Sequence, residues 1–418
     1  MPDPQATQQI IQLLGSSSPA MEEEVAALAG VLHSWAYELV VVGPLGRRYR
    51  QRLGAQGIRS VEVAGPAATS LSALRAHAWT LARLIRTRRP LLVHAHGLGA
   101  ALAGLLARRG QAEPSPVVVS PHFLPHLLAA DSRAGLRRLI SRRILRRCDA
   151  VVVGSEAQRA DLSRLDRRSG ERAALVPQAI SPYVPPDSLD LGRRRQLLGM
   201  TQAAAIVGCV IDDLGPSALA LFLDSARELC MDYPSLEFAL IGAEADLPRY
   251  HDLAHSRGLL GATVFVDPHD RFLRAVSALN VLVTPQHGWP AGMLALQALS
   301  QDVGVVASPD GEVAELLTGS PGVTIAADHH PTALGRAIIE QLRAAAGRMP
   351  RFDEAAEAPG VSPFLVSRDF YDLGEAWNAP ARADEAPAAP AHRVVTAFDP
   401  TQAARGLIAV YHRVLDAS

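Results

Sequence analysis

The segment Thr284-Pro-Gln-His-Gly-Trp-Pro-Ala-Gly-Met-Leu-Ala-Leu-Gln-Ala298 decides the fold class. The apolar run Asn280–Val283 ahead of it has the length of a strand, and Gly292–Ser300 has the length and apolar content of a buried helix. Prolines and glycines between them make a tight loop. Strand, glycine-bearing loop and buried helix in that order form one unit of a parallel α/β sheet, and the start of such a helix is where α/β proteins hold anions.

The same alternation runs outward in both directions. Upstream, Gln9–Leu14, Glu38–Val42, Ser60–Val63, Leu91–His94, Val117–Ser120, Ala150–Val153 and Ala174–Val176 read as strands, with helices between them. A second series begins at Ala203–Val210 and continues through Glu237–Ile241, Thr263–Val266, Asn280–Val283, Gly304–Ala307 and Gly322–Ile325. The predicted class is therefore α/β with two Rossmann-like domains. Residues 1–178 form the first, completed by a C-terminal helix over 399–418. Residues 199–346 form the second. Proline-rich 179–198 reads as a linker, and 347–398, rich in Pro, Ala and acidic residues, as a flexible insertion. Asp399 and Pro400 open the last helix as N-cap and first residue, with Ala403, Leu407, Ile408, Tyr411 and Leu415 on its apolar face.

Composition narrows the function classes. The chain has 418 residues, 48% of them hydrophobic, and a formal net charge of −1, which leaves no electrostatic footprint for nucleic acid. All 41 basic residues are arginine. A bias of that kind would turn a functional lysine into arginine, not into leucine. The three cysteines have neither metal nor disulfide spacing, which fits a reducing compartment. The N-terminus lacks the regions of a signal peptide and no apolar run is long enough to span a bilayer, so the expectation is a soluble cytoplasmic protein. The arginine pairs at 137–138, 142–143 and 146–147 allow at most peripheral contact with anionic lipid and are better read as the solvated face of a helix.

Several segments, taken in order, carry a resemblance. Leu91-Leu-Val-His-Ala-His-Gly97, Val117-Val-Val-Ser-Pro-His122, Cys148-Asp-Ala-Val-Val-Val-Gly-Ser155, Tyr233-Pro-Ser-Leu-Glu-Phe-Ala-Leu-Ile-Gly242, Val303–Ser308 with Glu315, and Tyr411-His-Arg-Val-Leu415 match motifs of family 4 glycosyltransferases. The chain resembles that family over most of residues 8–345 and the final helix. The resemblance implies the GT-B fold, two Rossmann-like domains whose parallel sheets face a central cleft. It also implies retaining transfer of a sugar from a nucleotide-sugar co-substrate to an acceptor, with no essential metal or cofactor.

The resemblance also assigns site positions, and several are altered. Gly292, Met293 and Leu294 would offer helix-start amides to the donor diphosphate. The family's two glutamates of this loop fall at Trp289 and Gln297, its arginine at Cys209 and its lysine at Leu214, between the retained Gly208 and Gly215. Indole accepts no hydrogen bond, whereas Gln297 keeps an acceptor oxygen for the ribose. A hydrogen bond to a charged group contributes about 1.5–3 kcal/mol, so losing two costs about 3–6 kcal/mol, roughly 10²–10⁴ in rate. Asp212 and Asp213 remain in the glycine loop and read as solvated rather than as metal ligands. Glu315 matches the glutamate that ends the family's motif after Val303–Ser308, which the resemblance places among the donor-binding residues. His122 matches a histidine near the reacting sugar, beside the alternative of a strand-end histidine bonded to backbone. His94 and His96 share a strand face, which leaves a metal pair geometrically open beside local hydrogen bonding. His287 and Trp289 offer a stacking surface, beside the alternative that the tryptophan packs in the core. Two functions stay open. One is a transferase with a rebuilt donor site. The other is a non-catalytic pseudo-glycosyltransferase that serves a partner transferase or binds a glycan. A GT-B epimerase or phosphorylase would need the same lost charges.

Overall fold

The computed structural model describes residues 9–15, 18–63, 71–109, 111, 113–122, 134–180, 191–200, 205–211, 214–242, 247–267, 272–346 and 398–417. Two compact units emerge from the contacts. One comprises Met1–Ser181, Gly288–Met293 and Phe398–Ser418, the other Pro182–His287 and Leu294–Ala397.

Among the described residues the first unit holds seven parallel strands: β1 (Gln9–Leu14), β2 (Glu38–Gly43), β3 (Arg59–Glu62), β4 (Leu92–His96), β5 (Val117–Ser120), β6 (Ala150–Val153) and β7 (Ala174–Leu175). Their order is β3-β2-β1-β4-β5-β6-β7. The second holds β8 (Ala205–Val210), β9 (Leu236–Ile241), β10 (Thr263–Val266), β11 (Val281–Thr284), β12 (Gly304–Ala307) and β13 (Val323–Ile325), in the order β10-β9-β8-β11-β12-β13. Every strand pairing is parallel. Parallel strands covered by helices on both faces read as continuous apolar runs, and all six residues of β1, β8 and β9 are buried. In each sheet the order reverses once, between β1 and β4 and between β8 and β11. Doubly wound sheets bind ligands beyond the carboxyl ends of the strands flanking that reversal.

The last helix, Pro400–Asp416, belongs to the first unit. Asp399 caps it by accepting from the Thr401 amide at 2.8 Å. It buries Ala403, Ala404, Leu407, Val410, Tyr411 and Val414, so its inner face is rotated from the expected one and Ile408 and Leu415 are only half-buried. Helix Pro19–Ser34 packs along it.

Three differences from the sequence reading have physical causes. The helix of the opening segment starts at Trp289, not Gly292, because Pro290 is favoured in a first turn and Gly288, at φ +94°, reverses the chain before it. A short helix, Arg167–Glu171, follows the cap supplied by Asp166, whose carboxylate accepts from the Ser169 amide and hydroxyl. Residues 191–197, assigned by sequence to the linker, form a helix tied to the second unit. Its Arg195 is fully buried and donates to Ala278 O at 3.1 Å and to Asn280 Oδ1 at 2.7 Å. Residues 347–397 of the expected insertion, Asp212 and Asp213, and linker residues 181–190 lie outside the described residues.

Asn280 Oδ1 also accepts from the Ile206 amide at 2.6 Å, so one carboxamide joins the helix of residues 191–197 to the first residues of β8. Asn280→Ala is expected to cost the second unit about 1.5–3 kcal/mol, because a charged and a backbone donor both lose their acceptor. Thermal unfolding followed on that unit checks this, and an unchanged transition would contradict it.

Candidate functional site

The carboxyl ends of β1, β4 and β5 converge on a buried polar cluster in the first unit. Gln12 comes from β1, His94 and His96 from β4, Ser120 from β5, and His122 from the turn just after it. Residues two apart on a strand share a face, and the His94 and His96 rings lie 4.4 Å apart between centroids. Tyr411 of the last helix completes the group. All of these side chains are buried.

The hydrogen bonds form a connected chain. Ser120 Oγ lies 2.9 Å from His94 Nε2, and His94 Nδ1 lies 2.8 Å from the Tyr411 hydroxyl. Gln12 Nε2 donates to that hydroxyl at 3.3 Å, and Gln12 Oε1 lies 2.8 Å from His96 Nε2. His96 Nδ1 then lies 3.1 Å from His122 Nε2. The alternative left open for His94 and His96 resolves to local hydrogen bonding.

Burial, then the neighbouring His96 and His122, hold the His94 imidazole well below its ordinary range. Burial pushes His96 down to about 3. Burial, then His96, holds His122 well below the ordinary value. Neutral imidazoles have one donor and one acceptor nitrogen, so the chain has a direction. With the Gln12 carboxamide oxygen toward His96, His96 Nε2–H donates to it and His96 Nδ1 must accept. His122 Nε2–H donates to that nitrogen, which leaves His122 Nδ1 as the acceptor. His122 Nδ1 is buried and has no protein partner. The cluster thus presents one basic lone pair with no net charge. Of the two readings of His122, the side-chain network replaces the expected side-chain bond to backbone.

Trp289 covers this end of the network. It is 1% exposed, its ring lies 4.1 Å from that of His122, and its carbonyl accepts from Gln178 Nε2 at 3.5 Å. Glu24, His94, His96, His122, Gln158 and Trp289 border a cavity of about 30 Å³. That is room for one or two waters, not for a sugar ring.

The other expected site residues fall as follows. Gly208 lies inside β8, where an added Cβ would come 2.3 Å from Leu279 Cδ1, so its lack of a side chain serves packing. Cys209 is fully buried in the core of the second unit, and burial raises its thiol. Leu214 packs against the same core. Neither position brings charge. Because the helix begins at Trp289, the Gly292 amide already donates to Gly288 O at 3.5 Å, and Met293 and Leu294 sit in the helix body. The expectation that these three amides are open to an anion is corrected: in the first turn Pro290 has no N–H, and the Ala291 amide donates to Gly288 O at 3.0 Å. Gln297 is 2% exposed, and neither polar atom of its side chain has a protein partner. Glu315 is exposed on helix Glu312–Leu317, whose buried acid is Glu312.

Sequence reasoning gives Gln12 and Ser120 no role in the site and reads Tyr411 only as a packing residue. A lone glutamine inside the apolar run Gln9–Leu14 is the signal that marks Gln12. It also leaves out a triad in the second unit, His287, Asp310 and His329.

Unfolded histidines titrate near 6.5, so below that pH the unfolded chain takes up protons that the native cluster refuses. Stability is therefore expected to fall as pH drops from about 6.5 toward 3, by about 1.4 kcal/mol per pH unit for each such histidine. His96→Gln is expected to flatten this slope in urea titrations between pH 7 and pH 4, and an unchanged slope would contradict a neutral cluster.

Residues 21–182 match the model of Glycosyltransferase Family 4. The lipopolysaccharide core biosynthesis mannosyltransferase LpsB of Rhizobium meliloti (strain 1021) is 27% identical over 246 residues, 55% of this chain. The chain spans 64% of that relative's length. Among solved structures, the sucrose-phosphate synthase of Thermosynechococcus elongatus superimposes with a TM-score of 0.66 at 17% identity, covering 98% of this chain and 100% of that one. Anabaena HepE in complex with UDP and glucose gives 0.64 at 15% identity, covering 97% and 100%. At these identities the likeness shows the fold. Among the described residues no helix is long and apolar enough to cross a membrane. The two parallel-sheet units have the GT-B architecture, and the family 4 match covers residues 21–182 of the first.

Proposed function

We propose that the protein is a retaining glycosyltransferase that takes its sugar from a nucleotide-sugar donor. In that reaction the bond from the anomeric carbon to the diphosphate breaks and a bond to the acceptor oxygen forms on the same face. The acceptor's proton leaves with the diphosphate.

The observation that carries the reading is Gln297. A buried carboxamide with neither polar atom partnered costs about 1–3 kcal/mol, yet it stands in an otherwise apolar helix. It occupies the position that the family resemblance gives to the ribose-binding glutamate. A ligand hydroxyl would satisfy both of its polar atoms. In the first unit, His122 Nδ1 is a buried acceptor without a protein partner, able to take a hydroxyl proton. Anabaena HepE, similar in fold, has been crystallised with UDP and glucose and with UDP-glucose.

A second reading rests on Trp289. The indole occupies the space beside His122 and leaves a cavity too small for a sugar, and Cys209 and Leu214 supply no charge for a diphosphate. A non-catalytic subunit serving a partner transferase, or a glycan-binding protein, has those features.

Gln297→Leu separates a structural role from a binding one. Removing an unsatisfied amide is expected to leave the fold as stable or more stable by about 1 kcal/mol. Stabilisation by nucleotide sugars in a thermal-shift screen, expected for the wild type, is expected to vanish in the variant. Equal ligand shifts in both proteins would refute the assignment. Trp289→Ala opens the His122 cavity; a gain of nucleotide-sugar hydrolysis would support the transferase, and retention of a partner protein with no gain would support the second reading.

A further inference from the structure

We propose that His287, Asp310 and His329 bind a divalent transition-metal ion of the zinc class, and that the ion's remaining positions take phosphate oxygens of a nucleoside diphosphate. The second clause rests on the nucleotide-sugar reading above; the first does not.

The three ligands come from three adjacent strands of one sheet. His287 follows β11, which ends at Thr284; Asp310 follows β12, which ends at Ala307; and His329 follows β13, which ends at Ile325. Parallel register therefore brings all three to the carboxyl edge, where this class of sheet binds its ligands. Asp310 Oδ1 lies 3.1 Å from His287 Nδ1 and 3.0 Å from His329 Nε2. The ligand atoms all lie within 4.8 Å of one another. Two ligands bound at about 2.0–2.2 Å to one ion, at tetrahedral to octahedral angles, are about 2.8–3.6 Å apart. The two carboxylate–imidazole distances are thus already those of a shared coordination sphere.

The backbone is shaped for this approach. Gly311 holds φ +89°, and a Cβ there would come 3.3 Å from His287 Cβ and Nδ1. The turn after Asp310 can close against His287 because it has no side chain. The two imidazole rings meet edge to face, 5.3 Å between centroids.

The donor set chooses the ion. Two imidazoles and one carboxylate suit zinc, cobalt or nickel, whereas magnesium and calcium prefer oxygen alone. Three protein ligands leave at least one position for an outside oxygen. All three side chains are exposed, so that position is accessible. The ion supplies positive charge that the two expected cation positions do not: Leu214 is aliphatic, and Cys209 is sealed in the core. His287 sits two residues before helix Trp289–Leu299, whose positive dipole end favours the same anion.

The test uses the untagged full chain, stripped with a chelator and dialysed. Calorimetry with Zn²⁺ and visible absorption with Co²⁺ are expected to report one equivalent, and Mg²⁺ none. His287→Ala and His329→Ala are each expected to weaken Zn²⁺ binding by at least about tenfold. Asp310→Asn gives a third variant, and circular dichroism verifies that all are folded. Zn²⁺ binding unchanged in a folded His287→Ala/His329→Ala double variant would overturn the proposal. UDP is the second probe, and Zn²⁺ is expected to raise its affinity about tenfold in the wild type only, a coupling of about 1.4 kcal/mol. UDP binding that ignores the metal would overturn the phosphate clause and leave the transferase reading standing. Zn²⁺ binding with no UDP binding would support the ion site and overturn the phosphate clause.

Discussion

Three imidazoles sealed at the carboxyl edge of a parallel sheet must be neutral, and neutral imidazoles bond in one direction only. That constraint organises the first unit. Gln12 from β1, His94 and His96 from β4 and Ser120 from β5 are fixed relative to one another by it. Tyr411 draws the last helix of the chain into the same network. The helix closes the unit with a buried apolar face, but its register on the sheet is set by one hydroxyl. The network ends at a lone pair on His122, so packing and chemistry share one set of bonds.

The second unit was built by the same topology and has been altered differently. Its backbone keeps the strand, loop and helix of the opening segment. Its side chains at the expected cation positions have joined the hydrophobic core, as Cys209 shows with full burial and Leu214 by packing. An arginine at 209 would have to bury its guanidinium among apolar strands, a cost of several kcal/mol, so the core and the missing charge belong together. A composition bias toward arginine does not account for leucine at 214. The polar groups that survive are Gln297 inside the helix and, on the surface edge, two histidines with a carboxylate between them.

Much of the fold was legible because parallel sheets write themselves as short apolar runs separated by amphipathic helices. Strands such as Gln9–Leu14 and Thr263–Val266 match the sequence reading residue for residue. What was not legible depends on distance in sequence. Gln12, His94, His122 and Tyr411 are brought together only by the strand order, and their partners are up to 399 residues apart. His287, Asp310 and His329 likewise have no common spacing; adjacency of β11, β12 and β13 makes them a group. The start of the helix at Trp289 was obscured by Pro290, which reads as a breaker within a helix but is well suited to its first turn.

The function proposed for this scaffold is transfer of a sugar from a nucleotide donor. Its most direct test follows nucleotide-sugar hydrolysis by proton NMR, with UDP- and GDP-sugars, in the presence of Zn²⁺ and with water as the acceptor. The account predicts slow release of nucleoside diphosphate, with the freed sugar first appearing in the donor's own anomeric configuration. Release no faster than in buffer alone, from every donor tested, would contradict it.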